Sequence, residues 1–269
     1  MQEFLIRTSR QPRPFPSGHW RLRQRWNDLL YAHWPVPAAS LAPLVPAGLR
    51  VDTFQGSAWL GVMPFWMDRV KVRGVPPVLG ARSFPDLAFR TYVRDEQTET
   101  PGVYFLSLDA SSLLAVAAGR ALYHLPYHWS AMRLEQQTER EFSFDSRRRF
   151  APRPVAFKAR YRGLGPTVKL AEICPGTLEH FLLERSCMFS RNRAGDPIRA
   201  ILHHVSGPLE EAEAEIERND LASALGIALP GQKPVLYYSR RMAVYVWPAQ
   251  LMLPALAPRP VPAAATPMG

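Results

Sequence analysis

Lysine is scarce in this 269-residue chain: 29 arginines stand against four lysines, Lys71, Lys158, Lys169 and Lys233. The formal net charge is +10, but genomic base composition can produce such an arginine bias, so charge alone is weak evidence for a nucleic-acid partner. Cysteine is almost absent. Cys174 and Cys187 make no disulfide framework, and neither has a second cysteine two residues away, as a structural zinc site requires. Long apolar runs are missing too. The longest strongly apolar stretch, Leu113 to Gly119, is far below the ~20 residues that span a bilayer. Residues 1–11 contain no apolar core of a signal peptide. A soluble cytoplasmic protein with no membrane partner is expected. Phosphate-binding and nucleophile motifs are lacking as well: Gly163-Leu164-Gly165 runs into Pro166 and fits no phosphate loop, and no Gly-x-Ser-x-Gly elbow occurs.

What is present is an ordinary globular composition, 47% hydrophobic and 21% charged, with 27 prolines against 16 glycines. That excludes disorder and coiled coil as the main state and points to many turns and few long helices. Residues 1–19 read as an irregular arm, 20–250 as a single domain, and 251–269 as a Pro/Ala-rich frayed tail. Period-two patterning dominates between them. Leu87, Phe89, Thr91 and Val93 form one face of a strand and Ala88, Arg90, Tyr92 and Arg94 the other, while 103–108 is apolar on both faces. Further strands are expected at 25–34, 49–54, 57–67, 129–136, 140–145, 154–162, 184–191, 197–206 and 235–247. Helices are expected after a Ser111 or Ser112 cap, after Thr177, and over Glu210–Leu225. The fold class is α+β, mainly β and barrel-like.

Candidate chemistry begins with histidine. His124 and His128 stand four apart, a metal-ligand spacing on a helix, but Pro126 between them favours a loop entering a strand. His203 and His204 are adjacent in a strand and face opposite sides. Asp86, Arg90 and Tyr92 share a parity, so they lie together either on a solvated exterior, which the pattern slightly favours, or on a barrel lining. Asp109 reads as a helix cap before it reads as a buried acid. Arg147-Arg148-Arg149 lacks the interleaved aromatics of single-strand readers and looks like a solvated hairpin.

Several segments together resemble a known family. They are His33-Trp34-Pro35-Val36-Pro37 through Leu49, Gly56–Met67 with Phe84-Pro85-Asp86 through Tyr92, and Pro101–Asp109 through His124-Leu125-Pro126-Tyr127-His128. Leu178–Arg185 and Ala212–Asn219 fit as well. The chain resembles the YqjF-like family of uncharacterised bacterial proteins, domain of unknown function 2071. That family is similar to acetoacetate decarboxylase, which implies a large curved antiparallel sheet closing into a cone around a pocket, with a few short helices.

The departure from the decarboxylase is as informative as the likeness. Its Gly-Arg-Glu and Lys-Lys elements match Gly119-Arg120-Ala121 and Tyr127-His128, so the reactive lysine of Schiff-base chemistry is absent here. In its place the resemblance implies His128 as acid/base, Asp86 orienting it, and Tyr127 or Tyr123 stabilising an enolate-like oxygen. Arg90 would bind an anionic group, with Arg120, His124 and Tyr92 as further substrate-binding residues. No cofactor and no metal is expected, and a homo-oligomer is compatible with the relatives. Three readings stand: an enzyme acting on a small carbonyl or carboxylate compound, a non-catalytic ligand-binding or sensing protein, and, third, a nucleic-acid binder using the basic surface.

Overall fold

The computed structural model describes residues 16–75, 83–165, 173–206 and 209–252. Most of the expected arm (1–15), most of the expected tail (253–269), and Lys169 fall outside the described residues.

Thirteen strands and three α-helices are found among the described residues. In chain order they are β1 (Leu22–Val36), α1 (Ala38–Leu41), β2 (Leu49–Val51), β3 (Ala58–Val72), β4 (Phe84–Asp95), β5 (Pro101–Ala110) and α2 (Leu113–Tyr123). There follow β6 (Tyr127–Gln136), β7 (Glu141–Arg148), β8 (Ala156–Gly163), α3 (Leu178–Leu183), β9 (Cys187–Arg191), β10 (Pro197–Ser206), β11 (Leu209–Asn219), β12 (Val235–Val246) and β13 (Gln250–Leu251).

The pairings close the sheet twice. One ring has nine strands, β5-β6-β7-β8-β11-β12-β1-β3-β4 and back to β5. The other has seven, β9-β5-β4-β3-β1-β12-β10 and back to β9. Strands β12, β1, β3, β4 and β5 form the wall common to both. Nearly all pairs are antiparallel; β5 is the exception, running parallel to both β6 and β9.

Because successive side chains on a strand point to opposite faces, the common wall feeds two cores. Leu30, Ala32, Leu60, Val62, Leu87 and Phe89 face the nine-strand ring and pack against Phe142, Phe144, Phe157 and Tyr161. Leu29, Tyr31, Met63, Phe65, Ala88 and Tyr92 face the seven-strand ring and pack against Leu202, Met242 and Val244. That is why strands with two apolar faces dominate the sequence. Asp28, at φ 52°, and register shifts in the β1–β3 pairing re-phase β1, so that Trp26 and Leu29, three apart, reach the same core.

Three local expectations change. Residues 210–225 form strand β11 and a single 3-10 turn at Ser223–Leu225 instead of a helix. Glu213, Glu215 and Glu217 alternate with Ala212, Ala214 and Ile216, which is strand periodicity, and the acidic face pairs across to β8 through Glu213–Arg162 and Glu217–Lys158. Tertiary pairing outweighs the helix propensity of Glu and Ala. Asp109 is not a helix cap. Ser112 caps α2 by accepting the Ala115 N–H at 3.3 Å, while Asp109 is a buried acid holding Arg148. Finally, Asp86, Arg90 and Tyr92 do not face solvent: all three are buried inside the seven-strand ring. No helix of the described residues is long and apolar enough to cross a membrane.

Candidate functional site

The interior of the seven-strand ring is apolar except for a few polar groups placed by strand alternation. β4 contributes Asp86, Arg90 and Tyr92; β1 contributes Trp26, Tyr31 and His33; β3 contributes Trp59 and Gly61. These groups separate into two sets. Asp86 and Arg90 are four residues apart on one strand, about 13 Å along its axis.

The lower set surrounds a cavity of about 100 Å³ beneath α2, walled chiefly by Trp26, Phe65, Phe84, Ala88, Tyr123 and Tyr127. Two donors in this wall, the Trp26 indole Nε1 and the Tyr123 hydroxyl, are buried with no hydrogen-bond partner. Buried polar groups are almost always paired, because each one left unpaired costs about 1–3 kcal/mol. Tyr127 donates to Asp86 Oδ2 at 3.0 Å, and Asp86 Oδ1 has no partner. Burial drives the Asp86 carboxyl well above the usual carboxylate range, with nearby Asp109 adding to the shift and the Tyr127 hydrogen bond only partly opposing it. Burial and the Asp86 carboxyl raise the Tyr127 phenol, and burial pushes Tyr123 up to about 12. The residues of the cavity wall therefore include hydroxyl and indole donors and the Gln24 amide, and no lysine.

The chain makes room for Tyr127 in a specific way. It lies against Gly119 of α2, where an added Cβ would stand 2.5 Å from the ring. Arg120, next along the helix, donates from Nε to the Tyr127 carbonyl at 2.9 Å and fixes the start of β6.

The upper set is a buried cation among rings. Arg90 is 6% exposed. Its guanidinium lies 5.6 Å from the centroid of the Tyr92 ring and, among the described residues, hydrogen-bonds the Tyr92 hydroxyl (3.5 Å) and the Leu182 carbonyl (3.4 Å) alone. Tyr92 Oη is 2.7 Å from His33 Nε2. Burial, then the Arg90 cation, holds His33 well below the ordinary imidazole range, so it is neutral. At the rim, Arg185 pairs with Asp52 at 2.7 Å and stacks over Phe181 of α3.

The residues expected from sequence are not all gathered. Asp86 and Tyr127 meet, and Arg90 and Tyr92 meet, within the ring. His128 is on the other side of the wall: the residue after Tyr127, it pairs in register with Asp109 on the face that carries Ser130 and Arg148. Burial and Arg148 lower its pKa. Asp86 therefore does not orient His128. His124 ends α2 in the left-handed conformation (φ 51°), and it and Arg120 border an outer groove with Asn192 and Arg193. Arg120 positions backbone. His203 is buried and its pKa falls to about 4, while its neighbour His204 stands 3.9 Å from Glu184. Lys71, Lys158 and Lys233 are all exposed. The arginine triplet is split, with Arg148 held by Asp109 and Arg149 lying 4.7 Å over the Trp129 ring.

Sequence reasoning missed His33, Tyr31 and Trp26 as interior residues. His33 shares parity with Tyr31 on a strand whose other face is Leu30, Ala32 and Trp34, which is a readable signal; Trp26 is hidden by the irregularity at Asp28.

A curved sheet closed around a lined interior defines an acetoacetate-decarboxylase-like β cone. The fold is similar to acetoacetate decarboxylase from Legionella pneumophila, with a TM-score of 0.62 at 11% identity over 94% of this chain and 97% of that one. It is also similar to the enduracididine biosynthesis enzyme MppR complexed with pyruvate, with a TM-score of 0.60 at 10% identity over 87% and 91% of the two chains. Residues 23–243 match the family profile of domain of unknown function 2071, described as an uncharacterised conserved protein. The uncharacterised protein YqjF of Bacillus subtilis (strain 168) is 38% identical over 233 residues, 87% of this chain and 93% of its own. The chain belongs to the domain of unknown function 2071 family.

Proposed function

We propose that the protein binds a small, largely apolar, oxygen-bearing compound, a ketone or other carbonyl, non-covalently inside the cone. One observation carries this reading: an apolar cavity of about 100 Å³ has two unpartnered donors, Trp26 Nε1 and Tyr123 Oη, among its lining residues. Apolar cavities of about 150 Å³ accept a benzene-sized guest, so this one suits a few heavy atoms with one or two acceptor oxygens. Such an oxygen would satisfy donors that are otherwise costly to bury.

Binding fits the site better than turnover. Schiff-base chemistry needs an amine at the cavity, and the described lysines are all on the surface. General-base chemistry at His128 would need that ring on the cavity side of β6. The Tyr127 hydroxyl is committed to Asp86, which is not among the lining residues, so neither group offers the cavity the base that an enolisation needs.

The test is a melting-temperature titration of the purified protein with butanone, cyclopentanone and the matching alkanes. Ketones are expected to stabilise it in proportion to the logarithm of concentration and to be recovered unchanged, while alkanes do so less. Equal effects of ketone and alkane would remove the donors from the account, and no stabilisation by either would remove the cavity.

A further inference from the structure

The cavity does not use Arg90, and Arg90 is the one buried cation whose surroundings demand an explanation. Buried charges in proteins are paired or hydrogen-bonded. Among the described residues no carboxylate is ion-paired with Arg90; its Nε has no partner, and its two side-chain contacts are long and neutral. The nearby acids are committed elsewhere: Asp52 to Arg185 and Arg94, Glu184 to His204, and Asp86 to Tyr127.

The hydrogen-bond directions around it are consistent. Arg90 donates to the Tyr92 hydroxyl oxygen, so the Tyr92 proton is free to go to His33 Nε2 at 2.7 Å. A neutral imidazole that accepts at Nε2 carries its own proton on Nδ1. That Nδ1 is buried and unpartnered. The two unsatisfied groups, Arg90 Nε and His33 Nδ1, are thus both donors, and no unsatisfied acceptor accompanies them on these side chains.

Strand register sets the two side chains in one row, with the Cδ2–Nε2 edge of His33 turned toward Gly61 and Arg90 and Nδ1 on the far edge of the ring. His33, Gly61 and Arg90 form one row across β1, β3 and β4. The middle position has no side chain, and an added Cβ there would meet the His33 ring at 3.0 Å and Arg90 Cγ at 3.6 Å. The next interior residue on β4 is Ala88, about 7 Å along the strand, and Ala88 lines the cavity.

We propose that Arg90 is an anion position inside the cone that takes the carboxylate of a small monocarboxylic acid, with the acid's apolar body directed toward Ala88 and the cavity. This rests on the cavity reading only for where the apolar body goes; the charge argument stands on Arg90 itself. The ligand class narrows from an oxygen-bearing compound to a short aliphatic carboxylate.

The experiment compares propionate and butyrate with the neutral counterpart butanone, at constant ionic strength, on the wild-type protein and on Arg90→Met. Met keeps much of the volume and removes the charge. For the wild type, the carboxylates are expected to raise the melting temperature more than the neutral compound. Arg90→Met should weaken carboxylate binding by about tenfold or more, leave the butanone response in place, and melt without ligand at or above the wild-type temperature. That last result distinguishes a cation awaiting its ligand from one already satisfied by the fold. Carboxylate stabilisation that is absent in the wild type or unchanged in Arg90→Met overturns the proposal, as does a ligand-free Arg90→Met that melts well below wild type. Loss of the ketone response alone counts against the cavity reading and leaves Arg90 standing.

Discussion

Tyr127 hydrogen-bonds Asp86 at 3.0 Å inside the cone, while the adjacent His128 points to the opposite side of the wall. Of these two neighbours, Tyr127 is the one turned into the seven-strand ring. The contact joins a phenol to a carboxyl that burial drives well above its ordinary range, and no lysine is among the residues lining the cavity beside it.

Gly119 is the spacer that permits the contact. Gly119→Ala would gain about 1 kcal/mol of helix propensity. Its Cβ, however, would stand 2.5 Å from Cδ2 and 2.6 Å from Cε2 of the buried Tyr127 ring, and overpacking of that kind costs about 1–3 kcal/mol. The variant should be less stable by about 1 kcal/mol, read as a lower urea midpoint.

Asp86 gives a pH signature of known sign. Its carboxyl titrates higher in the folded protein than in the unfolded chain. Its contribution to stability is therefore complete below the ordinary carboxylate range and declines as pH rises toward the folded value. Asp86→Asn keeps an acceptor for Tyr127 and cannot ionise. Relative to wild type, D86N should become progressively more stable as pH increases from 4 to 9, measured by urea denaturation at several pH values. A difference that does not change with pH would show that the carboxyl is not buried as described.

Borohydride trapping addresses the missing amine. With acetoacetate or butanone present, borohydride should leave the intact mass of the protein unchanged, because an imine forms only where a lysine amine meets the carbonyl. A reduced adduct on any of the four lysines would restore Schiff-base chemistry to this protein.

The face of β6 that looks into the nine-strand ring should be structural and not ligand-binding. Asp109 accepts from Arg148 at 2.8 and 2.9 Å and from Ser130 at 2.7 Å, and is 1% exposed. Asp109→Ala leaves Arg148 without its partner and should cost about 3–5 kcal/mol, seen in the urea midpoint. His128→Ala, on the same face, should leave ketone and carboxylate binding as in wild type.

Much of the fold is legible in the alternation of residues. The 84–95 segment shows both its faces and its charged pair, and all eleven expected strands recur, ten of them within three residues of their expected bounds. The side of the wall on which a face lies is not a local property. Asp86 and Arg90 look solvent-facing because polar residues usually are; closure of the sheet puts them inside. Likewise Glu210–Leu225 carries helix-forming residues, and only the basic partners on β8 make it a strand. In the site, Tyr127 and His128 are one residue apart, so the resemblance locates the pair, but only strand phase reveals which member faces inward. Trp26 was hidden because the irregularity at Asp28 shifts the alternation of β1.

The central claim is that a small carbonyl or carboxylate compound meets unpartnered donors inside the cone, and the Trp26 indole N–H reports on it most directly. In a two-dimensional ¹⁵N–¹H spectrum, the Trp26 indole signal, assigned by its loss in Trp26→Phe, should shift saturably as butanone or butyrate is added, while exposed reporters such as the Lys158 amide stay in place. An indole signal that does not move at any ligand concentration would contradict the account.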